Sequence, residues 1–195
     1  WQKSAGLFGE YTLEGRKLSA VLGMRADYHN IYRTFFTPRL HAKYQINKTH
    51  RINVQGGMAR RSSYFIVENL PLLINGRTLV LDTADLIMHQ WLPQEKAWNY
   101  GVSFMKNFMM LQYPATLVMD YFETQFLSQV LVDRDRSATE IYINSVHGKE
   151  AGKTRIAQID LNGYLHRRLT FKISYRWIQS KQWLNNQFQQ QPMQS

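Results

Sequence analysis

The chain has 195 residues, of which 44% are hydrophobic and 19% charged, and its formal net charge is +10. No apolar run reaches the roughly 18 residues that a membrane helix needs, which excludes a helical membrane protein but not a membrane β-barrel. The sequence has no cysteine, so a disulfide framework and a thiolate metal site are also excluded.

Alternation of apolar and polar residues, the pattern of a β-strand with two different faces, dominates the chain. The second segment, Lys17–Tyr28, is apolar at every second position from Leu18, whereas its other face carries Arg25 and Asp27. Burying these charges in a dry core would be costly, so we expect that face to be wet. Eight strands are predicted in chain order: Leu7–Leu13, Lys17–Tyr28, Arg39–Ile46, Arg51–Arg61, Pro93–Phe108, Ala115–Thr124, Lys153–Tyr164 and Leu169–Trp177.

The two faces of the fifth predicted strand carry different residue types at its start. Trp98 and Tyr100 lead one face, and Asn99 and Gly101 lead the other. A strand between lipid and a hydrated lumen has this pattern. The sequence therefore predicts an all-β fold, an antiparallel meander of about eight transmembrane strands.

The predicted connections are short after strands one, three, five and seven, and long after strands two, four and six. Such alternation is typical of outer-membrane barrels, whose longer loops are extracellular. The long connections cover residues 29–38, 62–95 and 126–152, with a small hairpin around Asn75 and Gly76, a short helix over 83–89, and extended pieces over 128–132 and 140–146. Residues 181–195 are rich in glutamine and are predicted to form a flexible tail.

This orientation predicts an aromatic girdle at the extracellular ends of the outward faces. Its members are Tyr28, Trp98, Tyr100, Tyr121 and Trp177.

Two alternatives remain open at this point. An aromatic-rich soluble β-domain for binding would use the same aromatic residues as core and turn its charged face to water. A complete eight-stranded outer-membrane barrel, serving as an adhesin or a lipid-modifying enzyme, would also fit about 195 residues. Such a barrel should end in a closing C-terminal strand, and the glutamine-rich tail does not predict one.

Three segments resemble the strands of TonB-dependent outer-membrane receptors. Gln94–Gly101 is similar to a glutamate-then-aromatic strand start in that family, and Phe35–His41 is similar to the strand start that precedes it. Ala115–Phe126, followed by Gln129 and Val130, is similar to the next long strand and the loop that it joins. The resemblance covers roughly residues 6 to 178, and its motifs are strand patterns rather than catalytic signatures.

The resemblance implies that residues 1–180 are part of a 22-stranded barrel with a plugged lumen in the outer membrane of a Gram-negative cell. Such receptors import scarce nutrients, typically ferric siderophores or cobalamin, and a TonB complex drives them through the plug domain. The implied partners are outer-membrane lipid and lipopolysaccharide, the plug and remaining strands of the same receptor, and the nutrient. No plug-like segment is present, so we expect the middle-to-late part of a receptor.

No enzyme motif is present: a phosphate-binding glycine loop, a nucleophile elbow and a metal-binding His-Glu-x-x-His helix are all missing. The six histidines are scattered along the chain. We therefore expect no catalysis, no cofactor and no metal. Because the lysines and arginines are spread rather than massed in one block, we also expect no nucleic-acid partner.

Charged residues on the predicted lumen face are candidates for contact with an anionic substrate such as a siderophore or a corrinoid phosphate. A simpler interpretation is that they solvate the lumen or pair with the plug. Loop 62–95 is the other candidate region, because binding residues concentrate on loops held by a rigid scaffold. The candidates are Arg25, Asp27, Arg39 and Arg61 on the lumen face, and Arg77 and Trp91 in the loop.

Overall fold

Every regular element among the residues that the computed structural model describes is a β-strand, which confirms the all-β prediction. The structure describes residues 3–62, 76–82, 93–133, 137–148, 151–184 and 187–190. The strands are β1 Ser4–Glu14, β2 Leu18–His29, β3 Arg33–Gln45, β4 His50–Arg61, β5 Thr78–Asp82, β6 Glu95–Met110, β7 Tyr113–Asp133, β8 Glu140–His147, β9 Lys153–His166, β10 Leu169–Leu184 and β11 Gln187–Gln190. Within these residues no helix is long and apolar enough to cross a membrane.

The predicted meander is confirmed in the strand order β1-β2-β3-β4-β6-β7-β9-β10-β11. The eight predicted strands are its first eight members, and β5, β8 and β11 raise the total from about eight to eleven. β5 and β8 lie off this path: β8 pairs antiparallel with β7, and β5 pairs parallel with β8. This parallel pair departs from a purely antiparallel meander, because β5 belongs to the long connection between β4 and β6 rather than to a hairpin.

The connection after β2 was predicted to be long, and this prediction is wrong. β2 and β3 pair from His29↔Arg33 to Leu18↔Tyr44, which leaves a turn of three residues over 30–32. The aromatic residue Phe35 and the proline Pro38 led us to predict a loop in this stretch. The backbone nevertheless continues the ladder, with Phe36 opposite Ala26 on the apolar face.

Two further strands extend beyond their predicted ends. β7 continues through residues 125–133, most of which were assigned to a long connection. β10 continues to Leu184, and β11 pairs with it from Lys181↔Gln190 to Leu184↔Gln187. The predicted boundary between the barrel and the flexible tail, at residue 180, therefore lies inside a strand. The predicted helix over 83–89 lies outside the described residues, as does Asn75 of the predicted hairpin.

The chain divides into two compact units. We call them the long-strand unit, Trp1–Met58, Asn99–Thr124 and Thr154–Gln179, and the loop unit, Ala59–Trp98, Gln125–Lys153 and Ser180–Ser195.

The long-strand unit has one apolar and one polar face, as the register of β1 to β4 shows. Tyr11, Leu22 and Leu40 lie in one cross-strand row of the apolar face. Thr12, Val21 and His41 lie in the neighbouring row of the other face. Because successive side chains point to opposite faces, the whole pattern follows from this register.

Burial differs sharply between the two units. Of the exposed large hydrophobic residues in the described ranges, all except Trp98 belong to the long-strand unit, among them Leu7 at 78% and Tyr175 at 67% exposure. In the loop unit, Ile141 and Ile143 of β8 are fully buried. Among the described residues of the long-strand unit, the only buried hydrophobic residue is Ala115. A soluble domain with an aromatic core would show the reverse arrangement.

Candidate functional site

The polar face of the long-strand unit holds a concavity of about 460 Å³. The strand registers bring Ser19 of β2, Lys43 of β3 and Asn53 of β4 into one row on this face. Contacts farther along the sheet extend the row to β6 and β7. Its members all line the concavity.

The register between β4 and β6 is fixed by two contacts. Arg51 Nη2 donates to Met105 Sδ at 2.9 Å, and a Cβ placed on Gly56 would lie 3.9 Å from the Cβ of Tyr100. Both pairs belong to one antiparallel register. That register places Ser103 opposite Asn53.

The register between β6 and β7 is fixed in the same way. Thr124 Oγ1 donates to Asn99 Oδ1 at 2.7 Å, and Thr116 Oγ1 donates to Asn107 Oδ1 at 2.9 Å. Both pairs share one register, which places Asp120 opposite Ser103. The cross-strand row is therefore Ser19, Lys43, Asn53, Ser103 and Asp120, and we call it the polar row.

An aromatic ring lies beside the polar row. A Cβ at residue 101 would overlap the ring of Phe122, so only glycine allows this ring to lie across β6. Phe122 lines both the main concavity and a neighbouring one of about 300 Å³, which it shares with His41 and Gln55. The site thus combines charged, amide and hydroxyl groups with one apolar surface, as small-molecule sites do.

Two of the predicted site residues form an ion pair with each other. Arg25 Nε donates to Asp27 Oδ2 at 2.8 Å, and Arg25 Nη2 donates to Asp27 Oδ1 at 2.8 Å. Asp27 is buried, and its carboxylate occupies the space that a Cβ on Gly6 would need. Arg25 also lines a third concavity, of about 330 Å³, together with Arg39.

Arg39 forms an ion pair across the sheet. Its Nη2 donates to Glu10 Oε1, and its side chain passes over Gly23, where a Cβ would lie 2.6 Å from the Arg39 Nε. The guanidinium therefore reaches a carboxylate two strands away only because β2 carries glycine at that position. Arg25, Asp27 and Arg39 therefore pair with charges of the same face, an arrangement that neither the predicted substrate contact nor the simpler interpretation had named.

The remaining predicted site residues belong to the loop unit or lie outside the described residues. Arg61 Nη2 lies 2.6 Å from Glu95 Oε2. Arg77 Nη2 donates to the carbonyl oxygens of Ser137 and Glu140, the latter at 3.0 Å. Arg77 is thus engaged in holding the start of β8. Trp91 lies outside the described residues.

Glu95 has a role that its sequence position alone did not reveal. Its Oε1 accepts a hydrogen bond from the backbone N–H of Val130 at 3.2 Å, while its Oε2 binds Arg61. One carboxylate therefore ties β4, β6 and β7 together within the loop unit.

Glu123 is a second residue that sequence reasoning missed. It is 6% exposed, on the same face of β7 as Tyr121. Its carboxylate accepts hydrogen bonds from the hydroxyls of Tyr100 and Tyr121, and from Arg155 Nε at 3.0 Å. A charge on an otherwise apolar face is stable only with such partners. Alternation identifies the residue as an exception but does not identify the partners.

The five predicted girdle aromatics are all exposed. Their exposures are 58% for Tyr28, 37% for Trp98, 41% for Tyr100, 38% for Tyr121 and 41% for Trp177. Residues of the part that the structure describes form no group of three or more acidic or histidine side chains placed to hold a metal ion.

No family model and no curated protein sequence matches the chain. Its fold is similar to that of the siderophore receptor PirA from Pseudomonas aeruginosa, with a TM-score of 0.56 and 13% identity, covering 92% of this chain and 36% of that one. It is also similar to a chain of the FpvAI–pyocin S2 complex, with a TM-score of 0.59 and 13% identity, covering 92% of this chain and 23% of that one. The chain therefore has the fold of part of a receptor barrel and spans about a third or less of these proteins.

Proposed function

We propose that this chain is a segment of the β-barrel of a TonB-dependent outer-membrane receptor, which imports a scarce nutrient of the ferric siderophore or cobalamin class. The observation that carries the proposal is the distribution of apolar side chains in the long-strand unit. Large hydrophobic residues are exposed there on a continuous face, and the opposite face carries charges and concavities. A lipid environment makes that exposure favourable over so large a surface.

In this proposal the apolar face contacts outer-membrane lipid and lipopolysaccharide. Exposed aromatics such as Trp98 and Tyr100 lie at the membrane interface, where an apolar ring and a polar edge are both satisfied. The polar face lines a lumen shared with the plug domain and the remaining strands of a 22-stranded barrel. The TonB complex acts through that plug, and the chain itself needs no cofactor and performs no catalysis.

The ion pairs of the polar face support a lumen rather than a dry interior. The guanidinium groups of Arg25 and Arg39 pair with carboxylates, yet their side chains are 62% and 53% exposed. Charges of this kind are stable where water reaches them. The similarity to siderophore receptor PirA adds support for the fold and for the substrate class.

The first experiment is to read the gene on both sides of this chain. A plug-like domain upstream, with enough further strands to complete the barrel, would support the proposal. A start codon and a stop codon directly flanking the chain would contradict it.

The second experiment tests location and import. The full-length protein should fractionate with the outer membrane and should migrate differently on gels before and after heating, as folded barrels do. Deleting its gene should abolish uptake of one ferric siderophore or of cobalamin at nanomolar supply. Recovery of the protein in the soluble fraction, or unchanged uptake of every compound of these classes, would contradict the proposal.

A further inference from the structure

Two charges in the main concavity have no partner in the described part of the chain. The side chains of Lys43 and Asp120 both line it, and neither side chain forms a hydrogen bond or an ion pair with any described residue. Arg25 and Arg39, in contrast, are neutralised by carboxylates on the same face. The capacity to bind a charged ligand therefore lies in the polar row rather than at the predicted arginines.

The spacing of the two charges suits an elongated ligand. Lys43 is on β3 and Asp120 is on β7, with β4 and β6 between them. Three steps of about 4.8 Å between neighbouring strands place the two backbones about 14 Å apart. The four-carbon side chain of lysine can shorten that gap.

The groups between the two charges are suited to the middle of such a ligand. Asn53 and Ser103 offer an amide and a hydroxyl within the polar row. The ring of Phe122 lies beside them, over Gly101, and offers an apolar surface. Transferring an alkyl or otherwise weakly polar linker from water to this apolar surface would cost little free energy.

We infer that the polar row binds a zwitterionic solute, with Lys43 holding a carboxylate or phosphate at one end and Asp120 holding an ammonium group at the other. The concavity of about 460 Å³ is of the size that small ligands occupy. The inference rests on the proposed function for one point only, since a lumen is what gives a solute access to this face.

The test uses the full-length protein in detergent micelles and three probes of equal length. The probes are 6-aminohexanoate, 6-hydroxyhexanoate and 6-amino-1-hexanol; each of the last two replaces one charge of the first with a hydroxyl. Calorimetric titration should give a Kd for 6-aminohexanoate about tenfold lower than for either control, the factor expected when one charge-assisted hydrogen bond is lost. Equal affinity for the three probes, or no binding, would overturn the inference.

Two variants assign the ends of the ligand. Lys43→Gln should remove the preference of 6-aminohexanoate over 6-amino-1-hexanol, and Asp120→Asn should remove its preference over 6-hydroxyhexanoate. Lys172→Gln makes the same charge change as Lys43→Gln on a β10 residue outside the concavity, so it should leave all three affinities unchanged. Wild-type preferences in Lys43→Gln and Asp120→Asn would also overturn the inference.

Misfolding is separated from loss of binding by a double variant. Lys43→Asp with Asp120→Lys keeps the net charge and should bind 6-aminohexanoate in the reverse orientation, within about tenfold of wild type. Failure of this probe series while nutrient uptake continues would refute the zwitterion site alone. Loss of outer-membrane location or uptake with the probe preferences intact would refute the proposed function alone.

Discussion

The long-strand unit and the loop unit use the same apolar residue types in opposite ways. In the loop unit, Ile141 and Ile143 are fully buried in the first half of β8. In the long-strand unit, Ile173 is 63% exposed and Leu7 is 78% exposed. The hydrophobic effect buries apolar surface wherever water is the solvent. The described part of the loop unit thus buries its apolar side chains as a water-exposed fold does, whereas the proposed solvent of the other unit's apolar face is lipid.

The two units differ also in their backbone. In the described part of the loop unit the left-handed positions are glycines, Gly76 at φ 73° and Gly148 at φ 62°. The left-handed positions of the long-strand unit are taken by Arg33, Leu111 and Gln112, at φ 58°, 51° and 68°. Such residues are strained by their Cβ atoms. The long-strand unit thus tolerates local strain in its turns, because a long ladder of cross-strand hydrogen bonds holds them.

The largest expected effect is the loss of stability from a substitution in the buried core of the loop unit. Ile141→Ala should destabilise the β5–β8 pair by about 2–5 kcal/mol, because a fully buried side chain is replaced by a cavity. Hydrogen exchange of the β8 amides measures this local opening. The matched control is Ile173→Ala, at an exposed position of the long-strand unit, which should leave β8 exchange unchanged. Equal effects of the two variants on β8 would remove the distinction between the units.

The next effect tests the solvent of the apolar face. Leu22→Arg should cost about 2–4 kcal/mol in denaturant unfolding of the protein in lipid vesicles, because it places a charge in lipid.

The control for this change is the neighbouring residue on the other face. Val21→Arg should cost less than about 1 kcal/mol, since a lumen side chain remains hydrated. If both variants cost the same, the apolar face is not in lipid and the comparison between the units needs another explanation.

A third prediction concerns the attachment of β5 to β8 in the loop unit. Arg77→Met removes the guanidinium that binds the carbonyl oxygens of Ser137 and Glu140. Opening of β5 should become easier by about 1.5–3 kcal/mol, the usual contribution of hydrogen bonds from a charged donor. The exchange rate of the Thr78 amide, which donates to the Thr139 carbonyl at 2.9 Å, measures the opening.

Arg168→Met is the control for Arg77→Met. Arg168 is exposed in the turn between β9 and β10. Its replacement should leave the Thr78 amide unaffected. Unchanged protection of that amide in Arg77→Met would return Arg77 to the set of free candidates for substrate capture.

The smallest expected effect comes from changing the residues at left-handed backbone positions, in which the two units differ. Replacing Leu111 and Gln112 with Asn and Gly should stabilise the protein by about 1 kcal/mol, because these residues suit a two-residue turn with positive φ at both positions. Gly148→Ala should act in the opposite direction by a similar amount. Thermal unfolding in detergent measures both changes. A loss of stability in the turn variant would mean that the Leu111 side chain makes contacts that offset its strain.

Sequence reasoning predicted the faces well and the ends of the strands poorly. Alternation placed Leu22 and Arg25 on opposite faces, and the register confirms it. Sequence reasoning missed the start of β3 for two reasons. Phe35 places an aromatic ring on the polar face, and Pro38 is of a residue type that is common in turns. Both residues nevertheless continue the ladder opposite Asp27 and Met24. Composition describes a local preference, whereas pairing with an existing neighbour strand decides whether a marginal segment becomes strand.

The candidate site shows the same division. The sequence identified Arg25, Arg39, Arg61 and Arg77 as candidates for substrate contact, but it could not show which of them are already paired within the chain. Each has a partner at least two residues away, and Arg77 binds carbonyl groups 60 and 63 residues along the chain. Glu123 was overlooked for the same reason, since its three partners come from three strands.

By itself, the sequence determined the all-β fold, the meander and the two faces of each strand, because a period of two is a property of the extended backbone. The tertiary structure alone decided which charges are neutralised. Ion pairs depend on the register between strands, and a shift of one residue would turn every pair to the opposite face. Lys43 and Asp120 look no different in the sequence from Arg39 and Asp27. Their cross-strand neighbours in the polar row, Ser19 and Asn53 beside Lys43 and Ser103 beside Asp120, carry no charge and leave both available for a ligand.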